Sequence, residues 1–129
     1  MPGYVTSLRN ARLDAITTAI GASGLLRIYN ATRPATGGTA TTLGAQLTCS
    51  ATFAPAASGG VLTANAITQD SSADNTITAA WARLTTSGGT AVADISAGTS
   101  GTELILTTTS IVATQPVSVS SLTITEGNP

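Results

Sequence analysis

A mainly β domain preceded by one amphipathic helix is the architecture this sequence predicts, and three observations predict it. Residues 46–53 alternate between apolar and polar side chains. Clusters of glycine, proline and small polar residues punctuate the chain after residue 30. Only one stretch, 6–21, carries apolar residues at helical spacing instead. The expected arrangement is a single β-sandwich or jelly-roll-like domain of seven to eight short antiparallel strands, with a barrel as the alternative closure. Residues 1–24 are expected to form an N-terminal helical segment and residues 25–129 the β domain.

The helix is justified first. Val5, Leu8, Leu13, Ile16, Ala19 and Ile20 fall on one side of a 3.6-residue wheel, and Asn10, Asp14, Thr17 and Thr18 on the other. Thr6 or Ser7 is the expected N-cap, and Gly21 and Gly24 supply the stop. Arg9 interrupts the apolar stripe, so it is placed at the edge of the buried face or reaching toward a partner.

The strands follow. Leu25–Ala31 is apolar with an Ile and a Tyr, and the loop from Arg33 to Gly38 ends it. In Gln46–Phe53, Leu47, Cys49, Ala51 and Phe53 face one way and Gln46, Thr48, Ser50 and Thr52 the other, as in a half-buried strand. Further strands are expected over 61–68 and 76–86, joined by the polar run 69–75, and then over 91–96, 102–108, 111–113 and 117–125. Pro116 marks a break or an edge. Trp81, the only tryptophan, is expected to anchor the core.

Composition narrows the function. The 129 residues suit one domain that buries its own core. Hydrophobic residues make up 42% but aromatics only 3%, so the core must be thin-layered and aliphatic. Charge is scarce, at 9% of residues and net −1, and every basic residue is an Arg. With no cluster of cations, no nucleic-acid footprint is expected. No segment has the ~18 consecutive apolar residues of a membrane helix. Residues 13–26 lack a cleavage site, and we expect a chain that opens at Met1-Pro2-Gly3 without a signal peptide, so the Asn30-Ala31-Thr32 sequon goes unused. Cys49 is read as a small buried hydrophobe. The absence of Lys removes one common guard of sheet edges, which hints at edges covered by partner chains.

The missing residue types also remove chemistry. Without His there is no Ser-His-Asp or Cys-His arrangement and no His-ligated zinc; without Lys there is no P-loop and no Schiff base. Carboxylates remain: Asp14, Asp70, Asp74, Asp94, Glu103 and Glu126. A glycan hydrolase needs only two of them in a cleft, but sugar-stacking aromatics do not frame any pair. Residues 70–75 carry oxygen ligands at calcium-like spacing, yet lack the glycine and distal glutamate of an EF-hand loop and read as a turn. We therefore expect no catalysis and no cofactor or metal. The candidate site is instead a partner-binding one: Arg9, Arg12, Arg27 and Arg33, concentrated in the first third, suit an acidic partner surface through bidentate carboxylate pairs.

The opening Thr6-Ser7-Leu8-Arg9-Asn10-Ala11-Arg12-Leu13-Asp14-Ala15-Ile16, with Leu25–Asn30 and Arg33-Pro34-Ala35, resembles small proteins encoded among the head genes of tailed bacteriophages. Ala54–Gly60 and Leu122–Asn128 resemble the same group. That resemblance implies a capsid decoration or cement protein, a small β domain on the outside of an HK97-like shell that ties neighbouring capsomers together. It further implies the major capsid protein as partner, self-association as a dimer or trimer, synthesis in the host bacterial cytoplasm and residence on the capsid exterior, with neither nucleic acid nor membrane as partner. Alternatives from other classes are a tail or fibre component that binds receptors, a carboxylate-dependent glycan hydrolase and an adhesive surface-layer module.

Overall fold

The structure, a computed structural model, describes residues 2–126. Met1 of the opening, and Gly127 and Asn128 of the closing segment, lie outside the described residues. Among those described, one helix precedes nine strands: α1 (Thr6–Ile20), β1 (Leu25–Tyr29), β2 (Leu43–Thr48), β3 (Val61–Thr63), β4 (Ile77–Thr78), β5 (Trp81–Thr85), β6 (Ala91–Gly98), β7 (Leu104–Leu106), β8 (Ser110–Ile111) and β9 (Val119–Thr125). The mainly β domain with an N-terminal helix is as the sequence predicts. Its strands form a seven-stranded sheet in the order β2-β1-β5-β6-β7-β9-β3 and a two-stranded sheet, β4-β8.

Every pairing is antiparallel except β6–β7, which runs parallel for two residues, Ala97↔Leu104 and Gly98↔Ile105. Parallel neighbours ordinarily need a long crossover. Here residues 99–103 merely loop back beside the end of β6, through Gly101 at φ +70°, and so brief a pairing needs no crossover.

Pleating sorts the side chains. Leu26, Ile28, Leu47, Ala82, Leu84 and Ile95 share one face and join Leu13 and Ile20 of α1, with Phe53, Ile77 and Ile111, in a continuous core. Trp81 is buried but lies outside this core. It follows the parity of Tyr29 and Arg83 on the opposite face of the sheet, which corrects its expected place. β5 is consequently buried along its whole length, by the core on one side and by the loop from Asn30 to Thr42 on the other.

The strand over 46–53 begins earlier than its alternation suggests and stops at Thr48. Gly44 makes the earlier start possible. It is the extra residue of a bulge against β1, and a Cβ there would run into the side chain of Ile77. Beyond the strand, Cys49 and Phe53 are buried as expected, whereas Ala51 is exposed.

The outer edges are covered by the chain itself. Thr68 and Asp74 donate backbone N–H groups to Thr48 and Gly44, and the Asp70 carboxylate accepts from Gln46 N at 3.0 Å, so residues 68–75 seal β2. At the other edge β3 is three residues long, and Ser58 folds back onto Val61.

Helix α1 turns only part of its expected apolar stripe inward: Leu13, Ile16 and Ile20 pack on the core, while Val5, Leu8 and Ala19 are exposed. Leu13 and Ile20 are buried, but Arg9, Asn10 and Thr17 lie on the same side as Leu13. The outward side carries Leu8, Ala11, Ala15 and Ala19, flanked by Val5 and Arg12. The reason is polar. Asn10 Oδ1 accepts Gly60 N–H at 2.8 Å and Asp14 Oδ1 accepts Ala57 N–H at 2.7 Å, which satisfies two loop donors that would otherwise lack a protein partner. Neither Thr6 nor Ser7 caps the helix. Val5 occupies the cap position with no side-chain bond, and Gly21 ends the helix at φ +73° as predicted.

Candidate partner-binding surface

The four arginines singled out from the sequence fall into two groups, on opposite sides of the large sheet. Arg9 and Arg12 lie on α1. Arg9 donates from Nη1 to the Glu126 carbonyl at 3.0 Å and from Nη2 to Thr6 Oγ1 at 3.1 Å. Its Nε is buried with no partner among the described residues. Arg12 pairs with the Glu126 carboxylate at 2.8 Å, and its guanidinium lies 4.7 Å above the Tyr4 ring. Gly60 completes this knot. It sits at φ +77°, accepts Glu126 N–H, and a Cβ there would strike the Arg9 guanidinium. The Arg12 side chain remains 48% exposed, so its ion pair contributes under about 1 kcal/mol and leaves the group open to an outside carboxylate.

Beside this knot is the most conspicuous surface feature. Val5 and Leu8 are 70% and 44% exposed. With Ala11, Ala15 and Ala19 they give the outward face of α1 an apolar stripe, bordered by Arg12. The stripe shares this outward face with exposed Ser7 and Thr18, and its size suits a small contact with another protein.

Arg27 and Arg33 belong to the second group, on the outer face of the sheet. Cross-strand register lines up Gln46, Arg27, Arg83 and Asp94 in one row over β2, β1, β5 and β6. The two arginines are direct neighbours, an unfavourable pairing if left alone. Each is matched on its outer side: Arg27 Nε donates to Gln46 Oε1 at 2.9 Å, and Arg83 Nε donates to Asp94 Oδ1 at 2.7 Å. Tyr29 stacks on Trp81 with centroids 4.5 Å apart, and Arg83 lies 5.1 Å from the Trp81 ring centre.

The loop from Asn30 to Thr42 closes over this row. The Trp81 indole N–H donates to Asn30 O and Thr41 Oγ1; Arg83 Nη2 donates to Gly38 O; Gly37 N–H donates to Asp94 Oδ2; and Arg33 donates to Asp94 O. Burial pushes the Asp94 carboxyl up. The bonds from Arg83 and Gly37 and the charges of Arg83 and Arg33 outweigh it and hold the group below its ordinary value. The Asp94 bond in turn raises Arg83.

The structure thus joins Arg9 to Arg12 through Glu126, and Arg33 to Arg83 through Asp94, but does not merge the four arginines into one patch. Arg83 and Asp94, the centre of the second group, were not singled out. Each reads as a single charge in a strand, and only register reveals the row. Asn10 and Asp14 show no sign in the sequence that they cap a loop more than forty residues away.

The remaining candidates are structural. Asp70 accepts Ser72 N–H with one carboxylate oxygen and Gln46 N–H with the other, so residues 70–75 form the expected turn and also cap an edge. Among the described residues no three His, Cys, Asp or Glu side chains gather as metal ligands. Cys49 is buried, and desolvation pushes its thiol up to about 11. No described helix is long and apolar enough to cross a membrane. Compared with known proteins, the chain matches no family model, no curated protein and no solved structure.

Proposed function

We propose that the protein is a virion structural component of a tailed bacteriophage, a cement protein that binds the outside of an HK97-like capsid at capsomer junctions. The observation that carries this reading is the outward face of α1. Leu8, Ala11, Ala15 and Ala19 lie open, with Arg12 beside them, on a helix fastened to the β body by Asn10, Asp14 and Arg9. A rigid β body that presents an apolar and arginine-edged helix is suited to docking on a protein lattice. Small contacts repeated over a symmetric shell gain avidity, and preference for the mature lattice shifts the shell toward that form.

The resemblance of the opening, 25–35, 54–60 and closing segments to phage head proteins supports the same reading. A receptor-binding tail component is less favoured, because Tyr29, Phe53 and Trp81 are buried and unavailable for sugar stacking. The test is to add purified protein to mature capsids that lack it. Saturable binding with a raised capsid melting temperature is expected. Absence of both would overturn the proposal.

A further inference from the structure

The seven-stranded sheet is missing part of one strand. β7 stands between β6 and β9, yet it meets β6 only at Ala97 and Gly98 and meets β9 only at Val119–Leu122. Beyond that point β6 and β9 continue with no strand between them. The opening is a groove of about 450 Å³, lined by Asp94, Ile95, Glu103, Thr123 and Thr125, with Ile16 of α1 against it. Where β7 is present its neighbours are two strand spacings apart, roughly 9–10 Å, so the groove starts one strand wide.

Both walls offer backbone to the groove. On β6, the Ser96 N–H turns toward the Glu103 carboxylate and the Asp94 C=O toward Arg33, both away from β5. Alternation along the ladder aims the Asp94 N–H the same way. On β9, Leu122 C=O and Glu126 N–H bond toward the β3 side, while Thr123 N–H bonds to Glu103 O. The Thr123 C=O and both backbone groups of Thr125 therefore face the groove. Ser96 N–H and Asp94 C=O are thus taken by Glu103 and Arg33, whereas the Asp94 N–H, the Thr123 C=O and both Thr125 groups have no protein partner among the described residues. Glu103 adds a charge. Asp94 is paired with Arg83 and Glu126 with Arg12, but Glu103 has no cationic partner among the described residues.

We infer that this slot receives one extended segment of another polypeptide, inserted as a strand between β6 and β9 in line with β7. The segment carries a basic residue for Glu103, next to branched apolar residues that pack on Ile16 and Ile95. Main-chain bonds to both walls supply the binding, and alternate side chains supply the selectivity. The inference stands apart from the capsid reading, which rests on α1.

The experiment titrates the isotope-labelled full chain with the peptide acetyl-Thr-Val-Arg-Val-Thr-amide and follows its amides by NMR. Roughly millimolar affinity is expected from so few backbone bonds. At saturation, the Asp94 and Thr125 amides shift, and their hydrogen exchange slows about tenfold or more. A peptide with both Val replaced by Pro has no donors at those positions and produces neither effect. Glu103→Arg weakens the Arg peptide about tenfold and favours the peptide with Glu in its place; Glu103→Gln weakens it less. Unmoved Asp94 and Thr125 amides would overturn the inference. So would equal binding of the proline peptide, or shifts confined to the outward face of α1.

Discussion

The carboxylate of Asp94 grips the guanidinium of Arg83 as a fork across β6 and β5, Oδ1 to Nε at 2.7 Å and Oδ2 to Nη2 at 3.1 Å. The Asp94 side chain is 1% exposed and that of Arg83 11%, so neither charge has water as an adequate substitute. Asp94→Ala is expected to cost about 3 kcal/mol by stranding Arg83. Replacing both residues by Leu should cost much less. Urea midpoints of Asp94→Ala and of the double Leu variant check this.

The same carboxylate sets an acid limit. Its value in the folded protein lies below the ordinary 3.8, so the unfolded chain takes up the proton first. The stabilisation is complete above that ordinary value and drains away as pH falls from about 4 downward. Unfolding free energy measured from pH 7 to 2 should drop over that range, and Asp94→Asn should flatten the drop.

Cys49 has the opposite sign. Its thiol is held protonated up to about 11, against an ordinary 9.0, so the folded state resists ionisation. Alkylation by iodoacetamide at pH 8 should be negligible in the native protein and appear along the urea unfolding transition. Above about pH 9 the unfolded chain ionises first and stability falls.

Gly44 and Ile77 test the packing. Gly44→Ala forces a methyl into Ile77 and should cost about 2 kcal/mol. Combining it with Ile77→Ala should recover part of that cost, giving a coupling energy of about 1 kcal/mol in a double-mutant cycle.

The outward face of α1 separates stability from binding. Leu8→Glu and Ala15→Arg alter exposed positions and should change unfolding free energy by less than about 0.5 kcal/mol. If the capsid reading holds, both abolish capsid binding in a sedimentation assay. Full binding by both variants would exclude this face.

Legibility varied with the range of the interaction. Leu25–Tyr29, the alternation through Leu47 and the stop at Gly21 are local, and the sequence displays them. The inward face of α1 is not local. A wheel weighs Leu8 against Asn10 by hydropathy alone, but Gly60 and Ala57 bring donors that make Asn10 and Asp14 the inward-facing residues. Trp81 is a similar case. Its size suggests the core, whereas pairing with Tyr29 and the indole bond to Asn30 O hold it on the other side of the sheet. Of the candidate site, Arg12 was legible only as one of four arginines concentrated near the start, and its exposure and its pairing with Glu126 come from the fold. The Arg27–Arg83–Asp94 row required strand register, which no local pattern encodes.

The grip of Glu126 on Arg9 and Arg12 makes the last strand a latch for the first helix. These contacts span 117 and 114 positions, nearly the full length of the chain, and so carry the largest closure entropy in the fold. During synthesis α1 emerges first but gains this anchor last. Until β9 arrives, α1 is fastened over the apolar face only through Asn10 and Asp14, and the edge that β9 will fill is open to chaperones and to neighbours. A chain that stops short of Glu126 would therefore loosen at its beginning, with Arg9 and Arg12 freed while Leu13, Ile20 and the Asn10 and Asp14 bonds still hold α1 to the body.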